Sequence, residues 1–344
     1  MEKELYRALD ANLNRAREGL RVLEDVARFS LNDIALAARA RKIRHEFLSV
    51  MDQHYPLLLA ARDVGTDFGA EYAASRHQDE KALMVANVRR VQEAARVLEE
   101  TARYLRPEAA DSFKKLRFAA YELEQAFSIR FIRMEKVQTL EQLRLYVILG
   151  TAHTLSRPVL DVAREAIRGG AGMVQLREKD LPAREFLRLA HSLRELTRNA
   201  GIPLIINDRV DIAATTGADG VHLGQDDLPV SAARRLLGEH AIIGVSTHSI
   251  HEAVAAEQNG ADYIGFGPVF PTATKPDLKA KGTALLQEVS KTVSIPVVAV
   301  GGISPENIAE IVAVGVRRVA VVSAVAGVPQ VAEAARFLRK LLEG

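Results

Sequence analysis

The sequence contains no cysteine among its 344 residues. Disulfide bonds, thiolate metal sites and a cysteine nucleophile are therefore excluded together. It also lacks an apolar run long enough to span a bilayer, and its first residues are charged where a signal peptide would carry an apolar core. We therefore expect a cytoplasmic protein that does not bind a membrane.

A large excess of charge of one sign is lacking as well. Lysine and arginine number 46 and aspartate and glutamate 44, so the net charge is only +2. This balance gives no electrostatic reason to expect nucleic acid as a partner. The chain is long enough for a barrel of about 200–250 residues and one smaller domain. We expect small-molecule substrates as partners, and a homo-oligomer is compatible with the composition.

The first 137 residues have apolar side chains at three- and four-residue spacing and little glycine outside residues 62–69. This spacing predicts an all-helical domain over residues 1–137. A repeat flanks the glycine-containing segment, because residues 12–29 match residues 87–104 at a constant offset of 75 residues. Arg44 and Arg117 extend the likeness. We therefore predict a duplicated helical hairpin.

From Leu143 onwards, short apolar runs alternate with amphipathic stretches, a pattern typical of βαβ units around a parallel sheet. Eight units favour closure into a (β/α)₈ TIM barrel over an open doubly wound sheet. We assign the barrel to residues 138–344, with residues 131–142 as a linker. The eight strands are predicted near residues 143–150, 173–179, 203–209, 220–225, 241–248, 263–270, 296–302 and 318–325.

Chemically capable residues collect where the predicted strands end, which is the face that carries active sites in such barrels. Asp208 and Asp227 follow neighbouring strands and suit Mg²⁺, which is usually held by one or two carboxylates together with substrate phosphate oxygens. Arg177, Lys179 and Lys275 supply positive charge for a diphosphate. Glycines after the seventh strand and the segment after the eighth predict a second phosphate site.

Each of these residues also has a simpler interpretation. Asp208 alone could cap the following helix, for which aspartate is a preferred residue. Arg177 and Glu178 could pair with each other at the rim, as charged strand-end residues often do. His222 and His248 are expected to be packing or hydrogen-bonding residues and not catalytic bases. The coincidence of seven strand ends favours a binding site.

The segments QLREK, ND, HLGQDD, GVSTHS, GPVFPTATK, AVGGI and VVSAV occur in this order across the barrel. Together they resemble the thiamine phosphate synthase family over essentially the whole of residues 143–344. The resemblance implies a Mg²⁺-dependent transferase that joins 4-amino-2-methyl-5-(diphosphomethyl)pyrimidine to 4-methyl-5-(2-phosphoethyl)thiazole or its 2-carboxylate. Diphosphate would leave first to give a pyrimidine cation, and no protein nucleophile is required.

The resemblance also implies roles for individual residues. Asp208 and Asp227 would hold Mg²⁺. The thiazole tautomerase branch is the nearest alternative, but it need not bind diphosphate or metal, and the complete set of cations and carboxylates argues against it. The pyrimidine diphosphate would be bound by Gln175, Arg177, Glu178, Lys179, Asn207, Ser246 and Lys275. The thiazole phosphate would be bound by Thr272, Thr274, Gly302, Val322 and Ser323.

The helical part has its own resemblance, carried by LDANLNRAREGLRVLEDVARF, ANVRRVQEAARVLEE and the loop that begins at Arg62. It resembles the small hydroxymethylpyrimidine-phosphate kinase that occurs fused to thiamine phosphate synthases. That likeness implies an ATP-dependent kinase and hence a bifunctional enzyme, although the sequence has no GxxxxGK[ST] phosphate loop. The alternative is a non-catalytic dimerisation or docking module.

Six candidate site residues follow in this domain. Asn12 lies on the apolar stripe of its helix with Arg15 at the edge, and the second repeat has the same pair. A polar group aimed at a core needs partners, so these residues predict a buried network or a ligand site. The pattern alone favours the simpler alternative, in which Asn12 caps or flanks a helix start and Arg15 pairs with Glu18. The full set, with two carboxylates suited to Mg²⁺, is Asn12, Arg15, Asp63, Asp67, Asn87 and Arg90.

The opposite face of the first repeat helix carries Arg17, Arg21, Glu24 and Arg28. We expect these four residues to form a solvated face with internal salt bridges.

Overall fold

A computed structural model describes residues 2–62, 76–272 and 279–343. The contacts divide the chain into two compact units, Met1–Ile132 and Arg133–Gly344, here called the helical unit and the barrel unit. In the described ranges, no helix combines the length and the apolar character needed to cross a membrane.

The helical unit is built from helices alone in its described part, as predicted. Two of its helices begin at an aspartate that accepts a hydrogen bond from the first turn: Asp33 from the N–H of Leu36 at 2.9 Å and Asp79 from the N–H of Ala82 at 2.7 Å. The helices are α1 (Glu2–Asp25) with a following π-helical turn (Val26–Ser30), α2 (Ile34–Ser49), a 3₁₀ turn (Asp52–His54), α3 (Tyr55–Ala61), α4 (Glu80–Leu105) and α5 (Pro107–Gln142).

The two sequence repeats lie on α1 and α4, which pack against each other. They approach closely at Gly19, where an added Cβ would lie 2.9 Å from Cγ2 of Val91. Each repeat also contains the same ion pair, from Glu24 to Arg44 and from Glu99 to Arg117, both at 2.9 Å. The duplication predicted from the sequence is therefore visible as a repeated interaction.

The prediction of a solvated face was wrong for Glu24. Its side chain is buried, because α2 packs against α1 and brings Arg44 onto the carboxylate. A single helix pattern shows one apolar stripe and gives no sign of a second helix that covers the opposite face. Arg21 remains on the exposed side and bridges to Asp25 at 3.3 Å.

The barrel unit is a closed sheet of eight parallel strands in the order β1 to β8, with β8 paired to β1. All eight predicted strands are present, so the predicted TIM barrel is confirmed. The strands are β1 (Leu145–Leu149), β2 (Met173–Leu176), β3 (Leu204–Asn207), β4 (Gly220–Leu223), β5 (Ile242–Thr247), β6 (Tyr263–Phe266), β7 (Val297–Val300) and β8 (Val319–Val321).

Helices follow the strands and cover the outside of the barrel. Alternate strand residues such as Val147 and Leu149 face them and form the larger apolar core. The helices are α6 (Val159–Arg168), α7 (Ala183–Ala200), α8 (Val210–Thr216), α9 (Val230–Leu237), α10 (Ile250–Gln258), α11 (Gly282–Thr292), α12 (Ile308–Ala313), α13 (Ser323–Ala326) and α14 (Val331–Glu343).

The predicted linker over residues 131–142 was wrong, because these residues are the last part of α5. Neither glycine nor a second proline interrupts the sequence after Pro107, so nothing ends the helix before Gln142. The end of α5 also belongs to the barrel core, since Leu140 is fully buried in one cluster with Tyr146 and Tyr263. The proposed boundary between residues 137 and 138 therefore falls inside a helix.

Candidate active site

The carboxyl ends of the strands surround one cleft of the barrel unit. Eight residues predicted from the sequence to bind substrate line it together, although they come from different strand ends. His222 and His248 lie in the same lining. The eight residues are Gln175, Arg177, Asn207, Ser246, Thr272, Gly302, Val322 and Ser323.

The two predicted metal ligands lie close to each other. Burial raises the pKa of Asp227, and the hydrogen bond to Asp208 and its charge raise it further. The backbone N–H of Gly224 donates to Oδ2 of Asp227 at 2.7 Å, and Nζ of Lys179 donates to Oδ2 of Asp208 at 2.5 Å. Two neighbouring carboxylates repel each other unless a cation lies between or beside them.

The interpretation of Asp208 as a helix cap does not hold. Arg209 occupies the position before α8 and makes no side-chain cap. Asp208 has a φ of +60°, a left-handed conformation that aspartate and asparagine tolerate better than most residues. In the described ranges, no group of three or more histidine and acidic side chains could hold a metal. The pair suits Mg²⁺, which keeps several water or phosphate ligands.

Four of the residues predicted to bind substrate are not in this lining, and one of them, Lys179, pairs with Asp208 as described above. Glu178 bonds instead to Thr151 after β1, accepting from its N–H at 2.7 Å and its hydroxyl at 2.9 Å. A carboxylate held in this way fixes the loop after β1. Thr274 and Lys275 lie outside the described residues, so their place in the site stays a prediction.

The other side of the cleft is formed by the ends of β7 and β8. Gly301 and Gly302 have φ values of +96° and +66°. A Cβ at Gly302 would lie 2.3 Å from the carbonyl oxygen of Pro271, so the backbone there comes too close for any side chain. Asn307 fixes this turn by donating to the carbonyl of Gly302 at 2.8 Å.

Beneath the cleft lies a row of hydrogen-bonded side chains that the sequence reasoning missed. Nε2 of Gln175 lies 2.6 Å from the hydroxyl of Tyr146, which lies 3.0 Å from the hydroxyl of Tyr263. Nδ1 of His222 lies 3.0 Å from Tyr263, and its Nε2 lies 3.0 Å from the Ser246 hydroxyl. A tyrosine at an inward strand position was the available signal, because a buried phenol requires a partner.

Both histidines make hydrogen bonds, as predicted, and the expectation that neither is a catalytic base stays a prediction. His222 bonds through both ring nitrogens as described above. Nδ1 of His248 bonds to the carbonyl of Gly267 at 2.5 Å.

In the helical unit, the candidate asparagines occupy equivalent places. Asn12 and Asn87 are buried, and each Nδ2 donates to the carbonyl four residues earlier at 2.9 Å. Asn12 lies within α1 and does not cap it. Nη1 of Arg90 donates to Oδ1 of Asn87 at 3.2 Å, while Arg15 and Arg90 themselves are exposed. Asp63 and Asp67 lie outside the described residues.

An ion pair between a buried aspartate and an exposed arginine was missed in the same unit. Asp10 is 6% exposed and receives two hydrogen bonds from Arg62, both at 2.7 Å. Arg62 directly precedes the segment that contains Asp63 and Asp67. A carboxylate among the apolar residues of α1 was the sequence signal for this pair, because a buried charge requires a partner.

The fold and the cleft define a barrel enzyme with cations beside a carboxylate pair on one side and a glycine turn suited to phosphate on the other. The family model described as thiamine monophosphate synthase matches residues 145–325. The chain belongs to this family, and it is a transferase. A second family model, described as the ThiD2 family, matches residues 7–126. Both resemblances identified from the sequence are thereby confirmed.

Two relatives are similar to this chain over nearly its full length, and one solved structure is similar over part of it. A thiamine-phosphate synthase of Nostoc punctiforme is 40% identical over 325 residues, which are 94% of this chain and 90% of the relative. One of Thermosynechococcus vestitus is 38% identical and covers 99% and 96%. The structure of a thiamine phosphate pyrophosphorylase of Pyrococcus furiosus is 41% identical, with a TM-score of 0.55, over 59% of this chain and 97% of that one.

Proposed function

We propose that the barrel unit joins 4-amino-2-methyl-5-(diphosphomethyl)pyrimidine to 4-methyl-5-(2-phosphoethyl)thiazole or its 2-carboxylate. The bond between the pyrimidine methylene and the diphosphate breaks first, and the thiazole nitrogen then attacks the resulting cation. The observation that supports this proposal is the meeting of eight predicted contacts in one cleft beside the carboxylate pair. No protein nucleophile is needed, so positioning and electrostatics supply the catalysis.

In this proposal Asp208 and Asp227 hold Mg²⁺, which when bound neutralises charge on the departing diphosphate. Arg177 suits the diphosphate as a two-pronged donor. Lys179 contributes a point charge and already holds Asp208 in place. Gln175 and Ser246 contact the pyrimidine ring, and the glycine turn after β7 together with Ser323 binds the thiazole phosphate.

The glycine turn gives a first prediction. Gly302→Ala is expected to raise the KM for thiazole phosphate by about 10–100-fold, since small displacements in a site have effects of this size. The added Cβ would displace Pro271 or the turn itself. Steady-state kinetics with each substrate varied in turn would measure the effect.

Gly315→Ala is the matched control for this prediction. Gly315 also has a positive φ, +87°, but nothing lies within 4 Å of an added Cβ. It carries the same kind of backbone strain without the collision. An equal rise in the thiazole phosphate KM in both variants would contradict the assignment of the turn to the phosphate.

We further propose that the helical unit is a kinase that makes the diphosphate substrate. An oxygen of the pyrimidine monophosphate would attack the γ-phosphorus of ATP, with ADP as the leaving group. The match of residues 7–126 to the ThiD2 family supports this proposal. Two further observations support it. Asn12 and Asn87 are buried, and Asp10 pairs with Arg62, the residue directly before the segment that contains Asp63 and Asp67.

The kinase proposal is tested in the full chain carrying Asp208→Asn, so that the diphosphate accumulates. With pyrimidine monophosphate, ATP and Mg²⁺, we expect one ADP for each pyrimidine diphosphate formed. A further Asp67→Asn change should lower this rate by about 10²-fold or more if that carboxylate holds the metal. Separation of the nucleotides and pyrimidines by chromatography measures both products.

Asp52→Asn is the control, because Asp52 is an exposed residue before α3. It should leave ADP formation unchanged. A folded chain that makes no pyrimidine diphosphate would contradict the kinase proposal and favour a docking module. Loss of activity in Asp52→Asn equal to that in Asp67→Asn would contradict the assignment of Asp67.

A further inference from the structure

The row of hydrogen bonds under the cleft connects two residues that face substrate. Gln175 and Ser246 are the two ends of this row, and both line the cleft. Between them lie Tyr146, Tyr263 and His222, which are 1%, 0% and 9% exposed. We call these five side chains the polar row. Gln175, Ser246 and His222 line the cleft, whereas the two tyrosines are buried and do not line it.

The hydrogen bonds of the polar row all run in one donor-to-acceptor direction. The amide nitrogen of Gln175 can only donate, so the hydroxyl of Tyr146 accepts from it. Tyr146 then donates its proton to Tyr263, the other partner of its hydroxyl in the described part of the protein. Tyr263 in turn donates to Nδ1 of His222.

The histidine carries the direction onward. A neutral imidazole that accepts at Nδ1 has its proton at Nε2, and this proton is donated to the oxygen of Ser246. The hydroxyl proton of Ser246 is then directed away from His222. At the other end, Oε1 of Gln175 is left as an acceptor. Burial raises the pKa of Tyr146 and that of Tyr263, so both phenols keep the protons that they donate.

As a consequence, the donor or acceptor roles of the two ends of the polar row, Gln175 and Ser246, depend on each other. Reversing the direction of these hydrogen bonds would require Gln175 to turn its amide, both tyrosines to rotate their hydroxyl protons, and His222 to change tautomer. The cleft would then receive a donor from Gln175 and an acceptor from Ser246. A mixed state would leave a buried hydroxyl without an acceptor, which costs about 1–3 kcal/mol in general.

We propose that Tyr146, Tyr263 and His222 are positioning residues that hold Gln175 as an acceptor and Ser246 as a donor toward the pyrimidine. This arrangement fits an aminopyrimidine, whose amino group donates and whose ring nitrogens accept. It opposes the 4-oxo analogue, whose carbonyl accepts and whose ring N–H donates. The inference rests on the proposed function of the barrel, and it adds the groups that set substrate selectivity.

The polarity is first tested without catalysis, in the wild-type full-length chain labelled with ¹⁵N-histidine. The chain has nine histidines, and the signals of His222 are those lost in His222→Gln. We expect the neutral tautomer with the proton on Nε2 at neutral pH. A neutral ring protonated on Nδ1, or a doubly protonated ring, would overturn the proposal.

Selectivity is tested with Tyr263→Phe, which removes one hydroxyl and keeps the ring. The ratio of kcat/KM for the amino substrate to that for its 4-oxo analogue should fall at least about 10-fold, because a site built around paired polar groups discriminates through them. The KM for thiazole phosphate should not change. An unchanged ratio would overturn the proposal.

Met173→Leu is the matched control. Met173 packs in the same inner cluster as both tyrosines, so this change perturbs the packing and keeps every hydroxyl. Its ratio should equal that of the wild type, and a fall as large as that in Tyr263→Phe would show a packing effect and overturn the proposal. If Tyr263→Phe does not fold, Tyr146→Phe interrupts the same polar row and replaces it in the test. A wild-type chain that couples neither pyrimidine contradicts the proposed function, while the His222 tautomer still decides the polarity.

Discussion

Asp208→Asn and Asp227→Asn are each expected to lower kcat for thiamine phosphate formation by about 10²–10³-fold, the usual effect of removing one stabilising group from a transition state. Charge develops on the departing diphosphate, and each carboxylate is proposed to hold the Mg²⁺ that neutralises it. Asparagine preserves the shape of both sites. At position 208, asparagine tolerates the left-handed backbone. At position 227, its side-chain oxygen can still accept the hydrogen bond from the N–H of Gly224.

The measurement is the rate of thiamine phosphate formation as a function of Mg²⁺ concentration. Both variants should need more Mg²⁺ for half-maximal rate, and the KM for thiazole phosphate should stay near that of the wild type. Asp226→Asn is the control, because Asp226 is the exposed neighbour of Asp227 and is assigned no ligand role. Wild-type rates in Asp208→Asn and Asp227→Asn at low Mg²⁺ would contradict their assignment as ligands.

The strands of the barrel and the location of its cleft could be predicted because they depend on local patterns. Residues 203–209 were predicted as a strand and Leu204–Asn207 form one, since an apolar run between turn residues has few other ways to be buried. Once eight such strands close into a barrel, their carboxyl ends share one face. This geometry alone brings Asn207, Ser246 and Ser323 to one cleft.

Other features depend on which element packs against which, and a single sequence does not contain that information. Asp10 and Arg62 are 52 residues apart and meet only because the chain returns along α1. The bond between Tyr146 and Tyr263 joins strands separated by 117 residues. The sequence shows that such polar groups need partners, but tertiary packing chooses the partners.

The end of α5 is the clearest example, and it leads to the prediction with the largest expected effect on stability. Lys136 lies where a linker was expected, yet its side chain is only 8% exposed and its Nζ lies 2.7 Å from Oδ1 of Asp262. Oδ2 of Asp262 accepts from Arg234 at 2.6 Å and from the N–H of Ile243 at 2.8 Å. Burial lowers the pKa of Lys136 even though Asp262 attracts its charge. The ammonium group therefore depends on this carboxylate.

Asp262→Ala is expected to destabilise the barrel unit by about 3–5 kcal/mol, because it leaves the buried Lys136, the half-buried Arg234 and one N–H without their shared acceptor. For a unit of this size, the loss corresponds to a fall of roughly 10 °C in the midpoint of thermal unfolding. Thermal and urea unfolding of the full chain, followed by circular dichroism and by loss of synthase activity, would measure it.

Two variants separate the buried pair from surface charge. Arg133→Ala removes an ion pair with Glu239 in which the nitrogen and oxygen are 3.9 Å apart and the arginine side chain is 63% exposed. We therefore expect the free energy of unfolding to change by no more than about 0.5 kcal/mol. Lys136→Met removes one cation but leaves Asp262 paired with Arg234. Its loss should therefore be smaller than that of Asp262→Ala. If Asp262→Ala proved no more harmful than Arg133→Ala, the end of α5 would be only a connection and not a structural part of the barrel.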